Sequence, residues 1–268
     1  MVAIARLESR HLDRPRARWC DVITTLADFA IVTWTVEPAA LARHLAPGFE
    51  PDLRVLDDGR RVALVSAVVF RDLDFRFAFA PWARFRMGQT NYRAYVVRGG
   101  VRCAWFFGTS LTRPFVVIPQ LLWKLPWHAA RMRFDTSWRG HQCERYRFRT
   151  VSRWAPAELE LTDSGRPMGC LDGFSDAEDA LVVLTHPLDG FFYRTDGRVG
   201  SYSIWHAPLQ LRHADATIAR FPLYERLGLV TAEQRPHSVL VQRDTEFLIR
   251  LPPHVVGGAG ESAIRALR

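Results

Sequence analysis

Four side chains at alternating positions, Gln89, Asn91, Arg93 and Tyr95, could hold and polarise an oxygenated ligand. Residues two apart on a strand share a face. The set therefore reads either as a cavity lining, with Arg93 gripping a carboxylate or enolate oxygen, or as the solvated face of a half-exposed strand. The expected partner strand carries Trp105 and Phe107 at the same spacing, which would supply an apolar wall. A second group is Lys124, Trp127 and His128. Lys124 is the one lysine among 36 basic residues, and an amine among aromatics is raw material for a Schiff base. His128 could move a proton near neutral pH and Trp127 could stack on a ligand. The bland readings are a chain-wide preference for arginine, surface exposure of Lys124 and core packing of Trp127. Third, His206 closes a strand in Trp205-His206-Ala207-Pro208. It could reach into a barrel mouth or serve as a hydrogen-bonded structural histidine.

No concentrated signature accompanies these groups. The chain has no Gly-x-Ser-x-Gly elbow, phosphate loop, dinucleotide fingerprint or His-Glu-x-x-His zinc helix, so no metal and no cofactor is expected and any chemistry must come from dispersed residues. Cys20, Cys103, Cys143 and Cys170 are widely spaced, without the paired spacing of a zinc or iron-sulfur site. They are expected reduced.

Strands must position these residues. Asp28 to Val36 is β-branched and aromatic and runs into Glu37-Pro38, where a short helix through Leu45 begins with proline in its first turn. Hairpins are expected from Leu53–Leu56 with Arg61–Phe70 around Asp57-Asp58-Gly59-Arg60, and from Asn91–Val97 with Val101–Leu111 around Arg98-Gly99-Gly100. The glycines of the second turn supply positive φ. A helix follows Thr112, limited by Pro119. Strands resume at Met132–Trp138, Cys143–Val151 and Glu158–Thr162. Ser175 is placed as the cap of a helix through Leu184, and Pro222–Leu229 is a further short helix. The remaining strands are Phe191–Thr195, Val199–Trp205, Leu209–Ile218 and Ser238–Ile249.

The pattern predicts a mainly β (α+β) fold, one antiparallel β-rich domain over 18–255, curled or closed, with a few short helices. Residues 1–17 are expected to form a mobile arginine-rich segment and 256–268 a flexible tail. At 268 residues and 48% hydrophobic content the chain can bury a substantial core. Its formal charge of +8 permits attraction to nucleic acid, anionic lipid or acidic small molecules. The arginines alternate with apolar residues, as in Arg145-Tyr146-Arg147-Phe148-Arg149, which describes the solvated face of a strand without a nucleic-acid motif. No uninterrupted apolar run of about 18 residues is present, and Arg6, Arg10, Arg14, Arg16 and Arg18 precede no secretory apolar core. The expectation is a cytoplasmic protein whose partner is a small molecule, with no nucleic acid and no membrane; homo-oligomerisation stays open.

Several of these stretches resemble an uncharacterised bacterial family related to acetoacetate decarboxylase: Asp28–Pro38 with Leu45-Ala46-Pro47-Gly48, Asn91-Tyr92-Arg93-Ala94-Tyr95, Ala104–Phe107, Leu125-Pro126-Trp127 and Trp205–Leu209. The resemblance runs in order over roughly residues 20–250. It implies the cone-like, curled β-barrel of that superfamily, with a pocket inside the cone. The decarboxylase itself uses a lysine following a proline, with a second lysine beside it; here that step reads Pro126-Trp127-His128, and Lys124 is offset. An acidic residue that relatives carry before the Asn-x-Arg step is Gln89. The resemblance thus implies a pocket without the Schiff-base amine. The expected function is lysine-independent acid-base chemistry, a cyclisation, dehydration or decarboxylation, on a carbonyl- or carboxylate-bearing substrate. Arg93, His128 and His206 are its catalytic candidates, and Gln89, Asn91, Tyr95, Trp105, Phe107, Trp127 and Lys124 line the ligand. The alternative is a non-catalytic sensor or carrier.

Overall fold

In the computed structural model, residues 5–112 and 117–256 are described. Their architecture is one highly curved sheet whose strands are β1 (Val22–Val36), β2 (Glu50–Pro51), β3 (Arg54–Val55), β4 (Arg61–Phe77), β5 (Phe85–Arg98), β6 (Val101–Thr112), β7 (Trp127–Arg139), β8 (Gln142–Val151), β9 (Ala157–Pro167), β10 (Asp189–Tyr193), β11 (Val199–His206), β12 (Arg212–Arg220), β13 (Ser238–Ile249) and β14 (His254–Val256). Five short helices punctuate it: α1 (Ser9–Leu12), α2 (Pro38–Ala42), α3 (Val117–Trp123), α4 (Ala177–Thr185) and α5 (Pro222–Arg226). The glycine turn at Gly99-Gly100 has φ of 55° and 80°, the left-handed values that glycine adopts without a Cβ penalty.

The sheet forks at two strands. Along one edge, β6 pairs β10 at Ala104–Phe106 and then β7 at Thr109–Thr112. Both pairings are parallel, against the all-antiparallel expectation. Likewise β13 pairs β12 at Leu240–Val241 and β11 at Phe247–Ile249. Two closed paths result, sharing β13, β1, β4, β5 and β6: one continues through β7, β8, β9 and β12, the other through β10 and β11. Alternation sends opposite faces of the shared strands into the two rings. Val32, Trp34, Val65, Tyr92, Trp105 and Phe107 pack in the larger one, whereas Phe29, Val68, Phe70 and Phe247 face the smaller one. Arg131, Arg133, Arg145, Arg147 and Arg149 lie exposed outside, as the period-two pattern implies.

Three differences from the sequence reading bear on the site. Strands β1, β4 and β5 begin or end beyond their expected limits, because Thr24, Arg71, Asp72, Asp74 and Arg86 break the apolar pattern without breaking the ladder. The cap of α4 is Asp176, whose carboxylate accepts from the Asp179 amide at 2.9 Å, not Ser175. Within the segment expected to be peripheral, residues 5–7 bind α4 and its cap. The Ala5 amide donates to Asp179 at 2.7 Å, Arg6 pairs with Asp176 at 2.8 Å, and His11 is buried. Beyond Val256 the expected tail lies outside the described residues. Among the described residues no helix is long and apolar enough to cross a membrane.

Candidate active site

The smaller ring encloses a cavity of roughly 450 Å³, within the ordinary range for small-molecule sites. His206 is 1% exposed and Arg93 7% at one end, and the cavity reaches the surface at Phe85, which is 38% exposed. Met87, Gln89, Asn91 and Arg93 succeed one another along the same face of β5 and all line the space. Gln89 donates through Nε2 to Asn91 Oδ1 at 2.8 Å, and Thr109 donates to the same oxygen at 2.9 Å.

Arg93 keeps the alternation of Met87, Gln89 and Asn91. Beside it the register of β5 against β6 shifts between Tyr92 and Arg93, leaving Phe107 of β6 as the extra residue of a bulge. The freed Arg93 amide donates to Tyr224 Oη at 3.2 Å. Its guanidinium donates through Nη2 to the Leu184 carbonyl at 2.6 Å and to Tyr95 Oη at 3.3 Å, and lies over the Tyr95 ring at 5.4 Å. Tyr95 is in turn held by Ser66 at 2.8 Å, and Ser66 by Thr33 at 2.8 Å. A hydroxyl ladder across three shared strands thus fixes the floor.

What Arg93 lacks is an anion. Arg54, comparably buried, pairs with Asp52 at 3.0 Å and Asp179 at 3.5 Å. No carboxylate reaches Arg93 among the described residues, and its buried Nε has no hydrogen-bond partner. A guanidinium stays charged in any protein environment, and an uncompensated buried charge is costly.

His206 also borders the floor, stacked on Phe247 at 4.5 Å and beside His186 at 4.4 Å. Its ring nitrogens lie 2.8 Å from the Ala207 and Thr185 carbonyls. Burial pulls its basicity down, with the Arg93 charge adding, against the opposing pull of the two carbonyls. In its neutral form the ring has one N–H and donates to one of the two carbonyls. Tyr202, two residues before Ile204 and four before His206 on β11, presents the same face to the cavity. Burial raises its phenol, partly offset by the Arg93 charge, so it stays a hydroxyl donor.

Towards the mouth stands Asp72, on β4 in line with Val68 and Phe70 and opposite Met87. It is 1% exposed; Thr24 donates to Oδ1 at 2.9 Å while Oδ2 has no partner. Burial, reinforced by the nearby charge of Asp74 and opposed by the Thr24 hydrogen bond, raises its carboxyl to about 7. That is the range in which a carboxyl both gives and takes protons at neutral pH.

Of the other candidates from the sequence, Trp127 alone lines the cavity among the described residues, where it is joined by Trp123 and Leu125. His128 points away and stacks on Trp154, centroids 3.9 Å apart and 12° from parallel; burial lowers it to about 4. Trp105 and Phe107 face the larger ring, where Trp105 meets Tyr193 at 4.9 Å and Phe49 at 5.0 Å. Tyr95 supports Arg93 from below. Lys124 sits between α3 and β7 at φ 55° and is not part of the lining; its carbonyl accepts from the Thr195 amide at 2.9 Å. Asp72 and Tyr202 were missed, although Val68-x-Phe70-x-Asp72 and Tyr202-x-Ile204-x-His206 share the face parity that singled out Arg93.

A forked β-cone with a ligand-sized cavity in one ring is the acetoacetate decarboxylase-like fold. An acetoacetate decarboxylase-like enzyme from Sphingomonas wittichii RW1 is similar at TM-score 0.58 and 9% identity, over 90% of this chain and 94% of that one. Acetoacetate decarboxylase from Legionella pneumophila subsp. pneumophila str. Philadelphia 1 is similar at 0.57 and 15%, over 95% and 98%. The enduracididine biosynthesis enzyme MppR, complexed with pyruvate, is similar at 0.56 and 13%, over 92% and 93%. No curated protein sequence matches the chain. Residues 24–246 match DUF2071, a family of uncharacterized conserved proteins, and the chain belongs to that family.

Proposed function

We propose that the protein is an enzyme acting on a small molecule that bears a carboxylate and a carbonyl, by acid-base chemistry that uses no lysine amine. One observation carries the reading: a single cavity contains a buried guanidinium without a carboxylate partner among the described residues and a carboxyl raised to about 7. Arg93 supplies the missing counter-charge for the substrate carboxylate, and the Tyr202 hydroxyl donates to the same anion. Asp72 takes a proton from carbon next to the carbonyl, or returns one, in an apolar setting that keeps both its forms accessible. His206, buried between the Ala207 and Thr185 carbonyls, positions the floor. That MppR, of the same fold, is complexed with pyruvate, and in another structure with a condensation product of pyruvate, supports an oxo acid as the ligand class. A carrier without chemistry is the second reading, favoured by the apolar walls.

Proton exchange tests this without knowledge of the product. Keto acids with increasing separation between carboxylate and ketone are incubated with the protein in heavy water, and loss of the protons beside the ketone is followed by NMR. The wild type is expected to accelerate exchange. Asp72→Asn should slow it by about a hundredfold or more with binding retained, and Arg93→Met should weaken binding by about a hundredfold. Exchange unchanged in Asp72→Asn, or a borohydride-trapped adduct on Lys124, would overturn the assignment. Binding without exchange would favour the carrier.

A further inference from the structure

The cavity is long, and its polarity is graded. Arg93 and Asp72 lie on neighbouring strands but not side by side: Asp72 is opposite Met87, six residues before Arg93 along β5. At about 3.3 Å per residue, their Cα atoms are separated by roughly 20 Å along the strand direction. At the floor, Arg93, Tyr202, Thr185, Asn91 and Gln89 offer donors and acceptors. The apolar wall starts beside these groups, with Phe70 opposite Gln89 and Phe247 opposite His206; Phe29 and Ile204 extend it, and the mouth is framed by Phe75, Phe85 and Trp127. Asp72 is the polar group in that outer half, and burial keeps it largely uncharged below about pH 7. Phe79, stacked on the lining residue Phe77 at 5.3 Å and 52% exposed, continues the apolar surface past the opening.

A compact oxo acid would satisfy the floor and leave the rest of this surface without an apolar partner. An extended chain would satisfy both. Resting on the carboxylate reading of Arg93, we infer that the substrate is a medium- to long-chain carboxylic acid. Its carboxylate sits on Arg93 and Tyr202, and its chain runs between Phe70 and Phe247 towards Asp72. The outer aromatics clasp the tail. The seven-strand ring fits this shape because the β10–β11 hairpin spans from β6 to β13 and leaves the space between open along the strands.

Calorimetric titration of the full chain with butanoate, octanoate and dodecanoate, each against the 1-alkanol of equal length, reads both halves of the inference. Each methylene that enters the cavity should tighten binding by about fourfold, so dodecanoate should exceed octanoate by roughly two orders of magnitude. Each acid should bind at least about tenfold more tightly than its alcohol. Arg93→Met should erase the preference for acid over alcohol and keep the dependence on length. Ile204→Trp, which narrows the middle of the channel, should weaken dodecanoate at least about tenfold and spare butanoate, and it serves equally if Arg93→Met does not fold. Acids that bind with a clear carboxylate preference but no gain from octanoate to dodecanoate would overturn the extended-chain inference and leave Arg93 as a carboxylate anchor. Length dependence without any carboxylate preference would overturn that anchor and this inference together.

Discussion

Two rings of strands share β13, β1, β4, β5 and β6, and they are filled in opposite ways. On the shared strands one set of alternate residues, Val32, Val65, Tyr92 and Trp105 among them, meets side chains from β7, β8, β9, β12 and α5 and forms a continuous core. The other set faces the cavity, and the return path through β10 and β11 is too short to deliver enough side chains to fill it. Neighbouring residues of one strand therefore do different work. Trp105 is fully buried between Phe49 and Tyr193, and Phe106, one residue on, forms cavity wall. Closed packing supports a stiff frame, and the frame allows the second ring to stay hollow around polar groups that a packed core would reject.

The largest effects should come from breaking the packed ring. Trp105→Ala removes a side chain with neighbours on every side and should cost about 4 kcal/mol in denaturant unfolding. Phe106→Ala enlarges a space that already exists and should cost about 2 kcal/mol, since fewer partner atoms are lost. Equal losses at the two positions would mean that the hollow ring contributes as much to stability as the filled one.

The two buried arginines sharpen the contrast at a lower magnitude. Arg54→Met strands Asp52 and Asp179 in the interior and should destabilise by about 3 kcal/mol. Arg93→Met removes a charge that no carboxylate balances among the described residues, so stability should hold or rise while carboxylate binding weakens. A drop in Arg93→Met as deep as in Arg54→Met would show that Arg93 is structural.

The packed ring was the legible part. Its strands are apolar over long stretches, so β13 was read at its full bounds and the β5–β6 hairpin at its turn. The lining of β5 was legible by parity, because Gln89, Asn91 and Arg93 interrupt an apolar strand at every second residue. The mouth was not legible. It is built where β4 runs on as Arg71-Asp72-Leu73-Asp74, a stretch whose charges suggest a loop; the strand persists because Thr24 meets Asp72 and Arg76 pairs with Asp74 across and along the ladder. Trp105 and Phe107 were placed on the wrong face because the turn is one residue tighter than Arg98-Gly99-Gly100: Arg98 pairs with Val101, so Trp105 meets Ala94 and Phe106 meets Arg93, and a one-residue change of register exchanges the faces. Stacking of His128 on Trp154 is a contact across 26 positions, beyond any local pattern.

Asp72 gives the smallest and most specific test of the hollow ring. Its carboxyl titrates near 7 in the folded chain and near 3.9 when unfolded. Below about pH 4 both states are protonated and Asp72 imposes no penalty. Between there and about 7 the unfolded chain releases its proton while the folded one retains it, so the folded state binds more protons and stability falls as pH rises. Above 7 the penalty is constant. Asn cannot ionise and keeps the carbonyl oxygen for Thr24, so Asp72→Asn should become more stable relative to wild type as pH increases from 5 to 7. At 1.36 kcal/mol per unit that window has a ceiling of about 2.7 kcal/mol, and about 2 kcal/mol is expected after local relaxation. Urea midpoints at pH 5, 7 and 8 measure it: a difference that grows to pH 7 and then stays level supports a carboxyl buried in an apolar channel. A difference independent of pH would mean that water reaches Asp72 freely, and the acid-base role assigned to it would lose its physical basis.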